Sequence, residues 1–216
     1  MATYYVSGQN GNDSNNGTTP ALARKTITSG LTLCGSAGDH LIIGPGTYRE
    51  VLTSSQFANM NGSSVGNEGK VIGDPDASHF PNDEPGPVRI TKKLVNEVDA
   101  GLTGATLTVS QNHLHFHNLI IESGANTNHS TSATSGNLFA WGVRVYTTLD
   151  MSNMCFFDCV IWGNGYGIYG VNAASNLYRS CTAIRCLSFS GQANFYKVNT
   201  IDCVAVGGLY GFAEGN

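Results

Sequence analysis

Apolar and polar residues alternate in short bursts along this chain, and the bursts recur. "HLHFHNLII" (residues 113–121) and "MCFFDCVIW" (154–162) read alike. Placing Phe116 on Phe157 gives an offset of 41 and sets Asn118 on Cys159, with a loop at 122–140 absorbing the extra length. Phe157 falls on Ile201 after 44 residues. A second series, Val143/Val145, Tyr166/Ile168, Leu187/Phe189 and Tyr210/Phe212, has starts 23, 21 and 23 residues apart. Cys159, Cys181 and Cys203 are spaced by 22 and 22. Alternation is the strand period. A strand-built repeat in the low twenties is one coil of a β-solenoid, which buries its inner face only by stacking on the next coil. Leucine-rich repeats share the period, but their leucine consensus is missing. One slot misfits. A strict 22 carries Phe157 onto Arg179, and a one-residue adjustment is expected to turn Tyr178 inward and Arg179 outward.

The first half is less regular. Ile27, Leu31 and Cys34 lie at helical spacing, predicting a short amphipathic helix over 25–34. Leu41–Ile43 reads as a buried strand, followed by a Gly-Pro-Gly turn and Tyr48. Residues 52–70 and 73–87 read as loops, and strands resume at 87–91 and 105–109. We expect one domain over 1–216: a cap and first coil at 1–50, loop-rich coils at 51–104 and regular coils at 105–216.

Composition narrows the function. The 216 residues are 41% hydrophobic and only 12% charged, with 27 glycines. Many short strands joined by tight turns fit this profile. A net charge of −4 argues against a nucleic-acid groove, which needs a basic face. No apolar run is long enough to span a membrane. The opening "MATYYVSGQNGNDSNNG" has no signal-peptide pattern, so we expect reduced cysteines.

The stretch "TYYVSGQNGNDSNNGTTPALARKTI…GDHLIIGPGTYRE" resembles the start of right-handed parallel β-helix proteins of the pectate-lyase-like superfamily, which includes polysaccharide lyases and phage tailspikes. The resemblance implies an all-β, right-handed parallel β-helix with coils of about 22 residues, its open end plugged by the helix at 25–34. It also implies the lyase chemistry to look for: carboxylates on Ca²⁺ and a basic residue that abstracts the proton α to a uronate carboxyl. Resemblance to tailspikes implies a homotrimer.

Candidate chemistry is sparse. Zinc needs clustered thiolates, and only Cys155 and Cys159 lie close in sequence. Asn118, Cys159, Cys181 and Cys203 are therefore expected as a core stack at one coil corner. His113, His115 and His117 alternate, so they share one outward face, where a divalent metal is the alternative to a solvated surface. Asp74, Asp76, Asp83 and Glu84 crowd one Pro-rich loop and form the calcium alternative. Asp158 and Asp202 take equivalent positions two coils apart, about 9.6 Å by strand spacing. That suits a glycosidase pair, although any repeat generates such pairs. Tyr166, Tyr169, Tyr178, Tyr196, Tyr210, Trp141 and Trp162 cluster in the repeats, and the outward ones can form a sugar-stacking platform or an interface.

Two functional classes follow. The favoured one is a non-enzymatic structural or binding protein without cofactor. It would be a virion component assembled in the host cytoplasm, a homotrimer in a capsid or tail, with a polysaccharide as possible ligand. Scarce acids and an apolar last strand with no cap after it motivate that expectation. The other is a secreted lyase or hydrolase of an acidic polysaccharide, with calcium as its possible cofactor.

Overall fold

Strands that alternate apolar and polar residues over three or four positions cannot cover their own inner face, and here they stack in parallel. The computed structural model describes residues 1–92, 104–123, 140–147, 153–163, 166–172, 181–190, 193–196, 198–207 and 210–213. Three all-parallel sheets result. The first contains β1 (Thr3–Val6), β2 (His40–Ile43), β4 (Gly69–Gly73), β7 (Leu114–His117), β10 (Met154–Phe157), β13 (Cys181–Ile184) and β16 (Asn199–Ile201), in that order. The second runs from β3 (Gly46–Tyr48) through β5 (Val88–Thr91), β8 (Ile120–Glu122), β11 (Val160–Gly163) and β14 (Leu187–Ser190) to β17 (Val204–Val206). The third holds β6 (Gly104–Val109), β9 (Ala140–Thr147), β12 (Tyr166–Asn172), β15 (Ala193–Tyr196) and β18 (Tyr210–Ala213). Successive coils visit the sheets in turn, which is a right-handed parallel β-helix.

The helix is α1 (Ile27–Leu31), with Ile27, Gly30 and Leu31 buried. It covers the first coil so closely that a Cβ on Gly30 would collide with Val6 and Leu41. Its exposed N–H groups explain much of the N-terminal motif. Glu50 accepts from Ile27 N and Thr28 N at 2.7 Å each, and Thr26 Oγ1 accepts from Ser29 N. Asp13 accepts from Lys25 N and Thr26 N. Acceptors at a helix start satisfy donors that have no intrahelical partner. Residues 52–70 are not simply a loop: a 3-10 segment, Ser54–Met60, buries Phe57 and Met60 under the coils. Phe57 meets Phe116 edge-on at 5.7 Å between ring centroids, and Phe116 stacks on Phe156 at 5.0 Å.

The register corrects the repeat. Phe116 pairs with Phe156, not Phe157, so Asn118 falls on Asp158 and Leu119 on Cys159. Met154 pairs with Cys181 and Phe157 with Ile184, an offset of 27. Ile184 pairs with Ile201, an offset of 17. Two unequal coils thus span the 44 residues from Cys159 to Cys203. Cys181 lies midway between them in sequence without sharing their corner. It is buried at the start of β13, while Cys186 holds the corner between Cys159 and Cys203. Chain length explains the inequality, because residues 173–180 separate β12 from β13 while only 197–198 separate β15 from β16. Arg179 and Tyr178 lie outside the described residues, and Ile184 takes the slot that a strict 22 assigned to Arg179. In the third sheet, Ala193/Phe195 fill the place expected for Leu187/Phe189, which belong to the second.

At the corner each thiol points to the coil before it. Cys159 Sγ approaches Phe116 O at 3.8 Å, Cys186 Sγ approaches Phe156 O at 3.4 Å and Cys203 Sγ approaches Ala183 O at 3.3 Å. None of these cysteines is in a disulfide. Burial pushes the Cys159 and Cys181 thiols well up, so both stay protonated.

The residue before each of these corners has left-handed backbone: Asn118 (φ 54°), Asp158 (52°), Arg185 (49°) and Asp202 (51°). Asn118 is therefore an exposed corner residue, not a member of the thiol stack. Asn and Asp tolerate this conformation, whereas Arg bears its steric cost. We predict that Arg185→Val lowers unfolding free energy by about 1–2 kcal/mol. Arg185→Asn should not, because relief of the backbone offsets the loss of a solvent-screened surface ion pair. Urea unfolding of both variants checks this.

Candidate functional site

Outward residues of parallel coils form columns, so chemistry is concentrated where a column repeats a useful side chain. On the third sheet Arg144 pairs with Tyr169 and Tyr169 with Tyr196, placing them on successive coils about 4.8 Å apart. Their inward neighbours Val143, Ile168 and Phe195 are buried, so alternation turns the column outward. The Tyr169 and Tyr196 rings stack at 5.0 Å and 11°. Tyr166 folds over both, 4.6 Å from Tyr169 and 5.5 Å from Tyr196. All three rings are half-buried. Burial and the two neighbouring phenols raise the Tyr166 pKa, so it is a neutral hydroxyl at ordinary pH. The result is an aromatic surface with the half-buried Arg144 on the adjoining coil. The clustering of aromatics was legible in the sequence, but their convergence on one face was not. Of the other aromatic candidates, Trp162 is exposed on the second sheet. Tyr178 and the side chains of Trp141 and Tyr210 lie outside the described residues.

Asp158 and Asp202 do take equivalent corners two coils apart, but Arg185 stands between them. Its Nε and a terminal nitrogen reach the two Asp158 oxygens at 2.6 Å each. This bidentate pair lowers the Asp158 pKa and occupies both oxygens. Asp158 is thereby unsuited to act as a general acid. Strict 22-residue spacing never brought Arg185 to this corner, so its pairing with Asp158 was not legible in the sequence.

The acidic loop is structural. Asp74 is buried and accepts from Ser78 Oγ at 2.7 Å and His79 N at 2.8 Å, which lower its pKa against the opposing effect of burial. Asp83 is buried and accepts from Ser7 Oγ at 2.7 Å and from Asn10 Nδ2 at 2.8 Å. Glu84 contributes its backbone N–H to Gln9 Oε1. Asp76 is exposed on the same loop. Among the described residues, no three His, Cys, Asp or Glu side chains are grouped to hold a metal ion. Asp83 and the Glu84 backbone thus tie this loop to residues 7–10, while Asp74 binds within the loop itself.

The histidines divide likewise. His113 precedes β7 in left-handed backbone and lies 3.3 Å from Asn153 Nδ2. His115 and His117 do share the outward face of β7, with ring centroids 6.1 Å apart. His117 lies flat on Phe157 at 4.6 Å. Desolvation, His115 and Lys70 hold its pKa down to about 4. His40 and His115 are also lowered, desolvation being the main cause. Three neutral imidazoles packed around a lysine make a covered polar patch.

No protein-family model and no curated protein matches the chain. Solved structures share its fold. A pectate lyase, Pel9A, is 16% identical with a TM-score of 0.59 over 95% of this chain and 48% of that one. A pectin methylesterase from Aspergillus niger is 15% identical, TM-score 0.56, over 100% and 61%. A rhamnogalacturonan lyase is 18% identical, TM-score 0.54, over 100% and 59%. The chain is thus a right-handed parallel β-helix protein that spans about half to three-fifths of the length of these relatives.

The histidine patch gives a pH prediction. A folded-state pKa below the ordinary value means that the unfolded chain binds the proton first. Stability is therefore lost as pH falls from about 6.5 towards 4, before the carboxylates Asp13, Glu68, Asp74 and Asp158, whose pKa values are lowered, begin to protonate. Melting temperature against pH should fall across that window. In His117→Phe, which retains the stacked ring, the fall should be shallower.

Proposed function

We propose that this protein is a non-catalytic carbohydrate-binding β-helix that holds an acidic polysaccharide on the outward face of its third sheet. The observation that carries it is the column Arg144–Tyr169–Tyr196 with Tyr166 folded over it. Tyrosine faces supply apolar area for the C–H side of a sugar ring, and their hydroxyls hydrogen-bond its rim. A guanidinium one coil away suits a uronate carboxylate, for which Arg offers fork geometry. The solved structures of the same fold, two lyases and an esterase by name, support a polysaccharide as the ligand class. The Asp158 salt bridge speaks for binding without hydrolysis.

Assembly into a homotrimer or a larger virion structure belongs to the same proposal. Its motive is the resemblance of the N-terminal motif to that of phage tailspikes. Analytical ultracentrifugation should give three times the mass of one chain, and a monomer removes this part.

Titration calorimetry with oligogalacturonate tests the binding reading. Tyr169→Ala and Tyr196→Ala should each weaken affinity about five- to tenfold, roughly 1–1.4 kcal/mol. Arg144→Gln should weaken it and reduce its salt dependence. The absence of unsaturated products on prolonged incubation is expected, and their appearance overturns the non-catalytic part.

A further inference from the structure

A cleft of about 590 Å³ lies outside the first coil, between the N-terminal loop and residues 79–83, on a different part of the molecule from the tyrosine column. Its walls are preformed. Phe80 is buried in a small outer core with Ala23 and Ile42, and Tyr5 meets it edge-on at 6.1 Å. Ser7 and Asn10 fix Asp83, and Asn10 Nδ2 also donates to Asn82 O at 2.8 Å. Gln9 holds both the carbonyl and the N–H of Glu84, at 2.8 and 3.0 Å. A binding site that needs no reordering loses little entropy when its ligand arrives.

The groups left over on this frame are of one kind. His79 is exposed, and its Nδ1 lies 3.2 Å from the buried Asp74, which orients the ring and leaves Nε2 as the unspent edge. Thr19 precedes a 3-10 turn without capping it through its side chain. Asn82 is exposed and engaged through its backbone carbonyl. Pro20 and Pro81 supply apolar surface between these polar edges, over the buried Phe80. Asp83, the carboxylate in the lining, is already satisfied by Ser7 and Asn10, and the lining contains no Lys or Arg. Flat apolar surface ringed by hydroxyl, amide and imidazole, without a cation, suits a neutral sugar ring.

We propose that this cleft is a second carbohydrate site, taking a neutral hexose unit, separate from the acidic-sugar surface of the third sheet. Asp74 and Ser78 act as positioning residues for His79, and Thr19, His79 and Asn82 make the contacts. Such an arrangement would let one chain hold an acidic and a neutral segment at once.

Saturation-transfer difference NMR on the full chain tests it, with cellotriose, maltotriose and laminaritriose as millimolar probes. At least one should receive saturation. Thr19→Ala/Asn82→Ala, which removes two exposed side chains outside the loop's hydrogen-bond frame, should cut that signal at least fivefold, as should His79→Ala. Tyr169→Ala should leave it unchanged, and excess trigalacturonate should not displace it. The proposal is overturned if none of the three sugars receives saturation. It is also overturned if the double variant binds like the parent, or if Tyr169→Ala abolishes the signal.

Discussion

Parallel strands held about 4.8 Å apart force every side chain to sit on its counterpart in the next coil. Nearly everything else in this molecule follows from that spacing. Inward columns must be apolar and compatible in size, as the stacked Phe116–Phe156 pair shows. Outward columns multiply whatever chemistry they carry: phenols on the third sheet, imidazoles and a lysine on the first, alternating charge at the corner. A function built on such a scaffold is naturally linear and suited to a chain-like ligand.

The same stacking decides which charges are available. At the corner, left-handed backbone places Asp158, Arg185 and Asp202 in one column, and opposite charges one coil apart pair. That pairing holds the carboxylate in its ionised, occupied form. The acidic loop is likewise consumed by structure, because Asp74 and Asp83 are buried and each needs several donors. The third sheet carries instead the outward tyrosines Tyr166, Tyr169 and Tyr196.

Part of the site was legible beforehand. The clustering of seven aromatics in the repeats was legible, without which of them face outward, and the N-terminal motif indicated the capping helix. The cysteines misled, because coils of 27 and 17 residues average to 22 and Cys181 lies midway between two true corner residues. The inequality comes from the length of the connection between β12 and β13 against that between β15 and β16, which local periodicity does not encode.

Sequence alone therefore determined the strand period, the parallel stacking class and the helical cap, since each depends on contacts between residues near in the chain or on strict alternation. Only the tertiary structure decided the register. A shift of one residue turned Phe157 from core to surface and moved Asn118 onto Asp158, and a shift of five replaced Cys181 by Cys186 at the corner. Register is set by how loops of unequal length close each coil, and those closures are long-range. They brought Arg185 onto Asp158 and Arg144 beside Tyr169, and so separated a plausible catalytic pair from a binding surface.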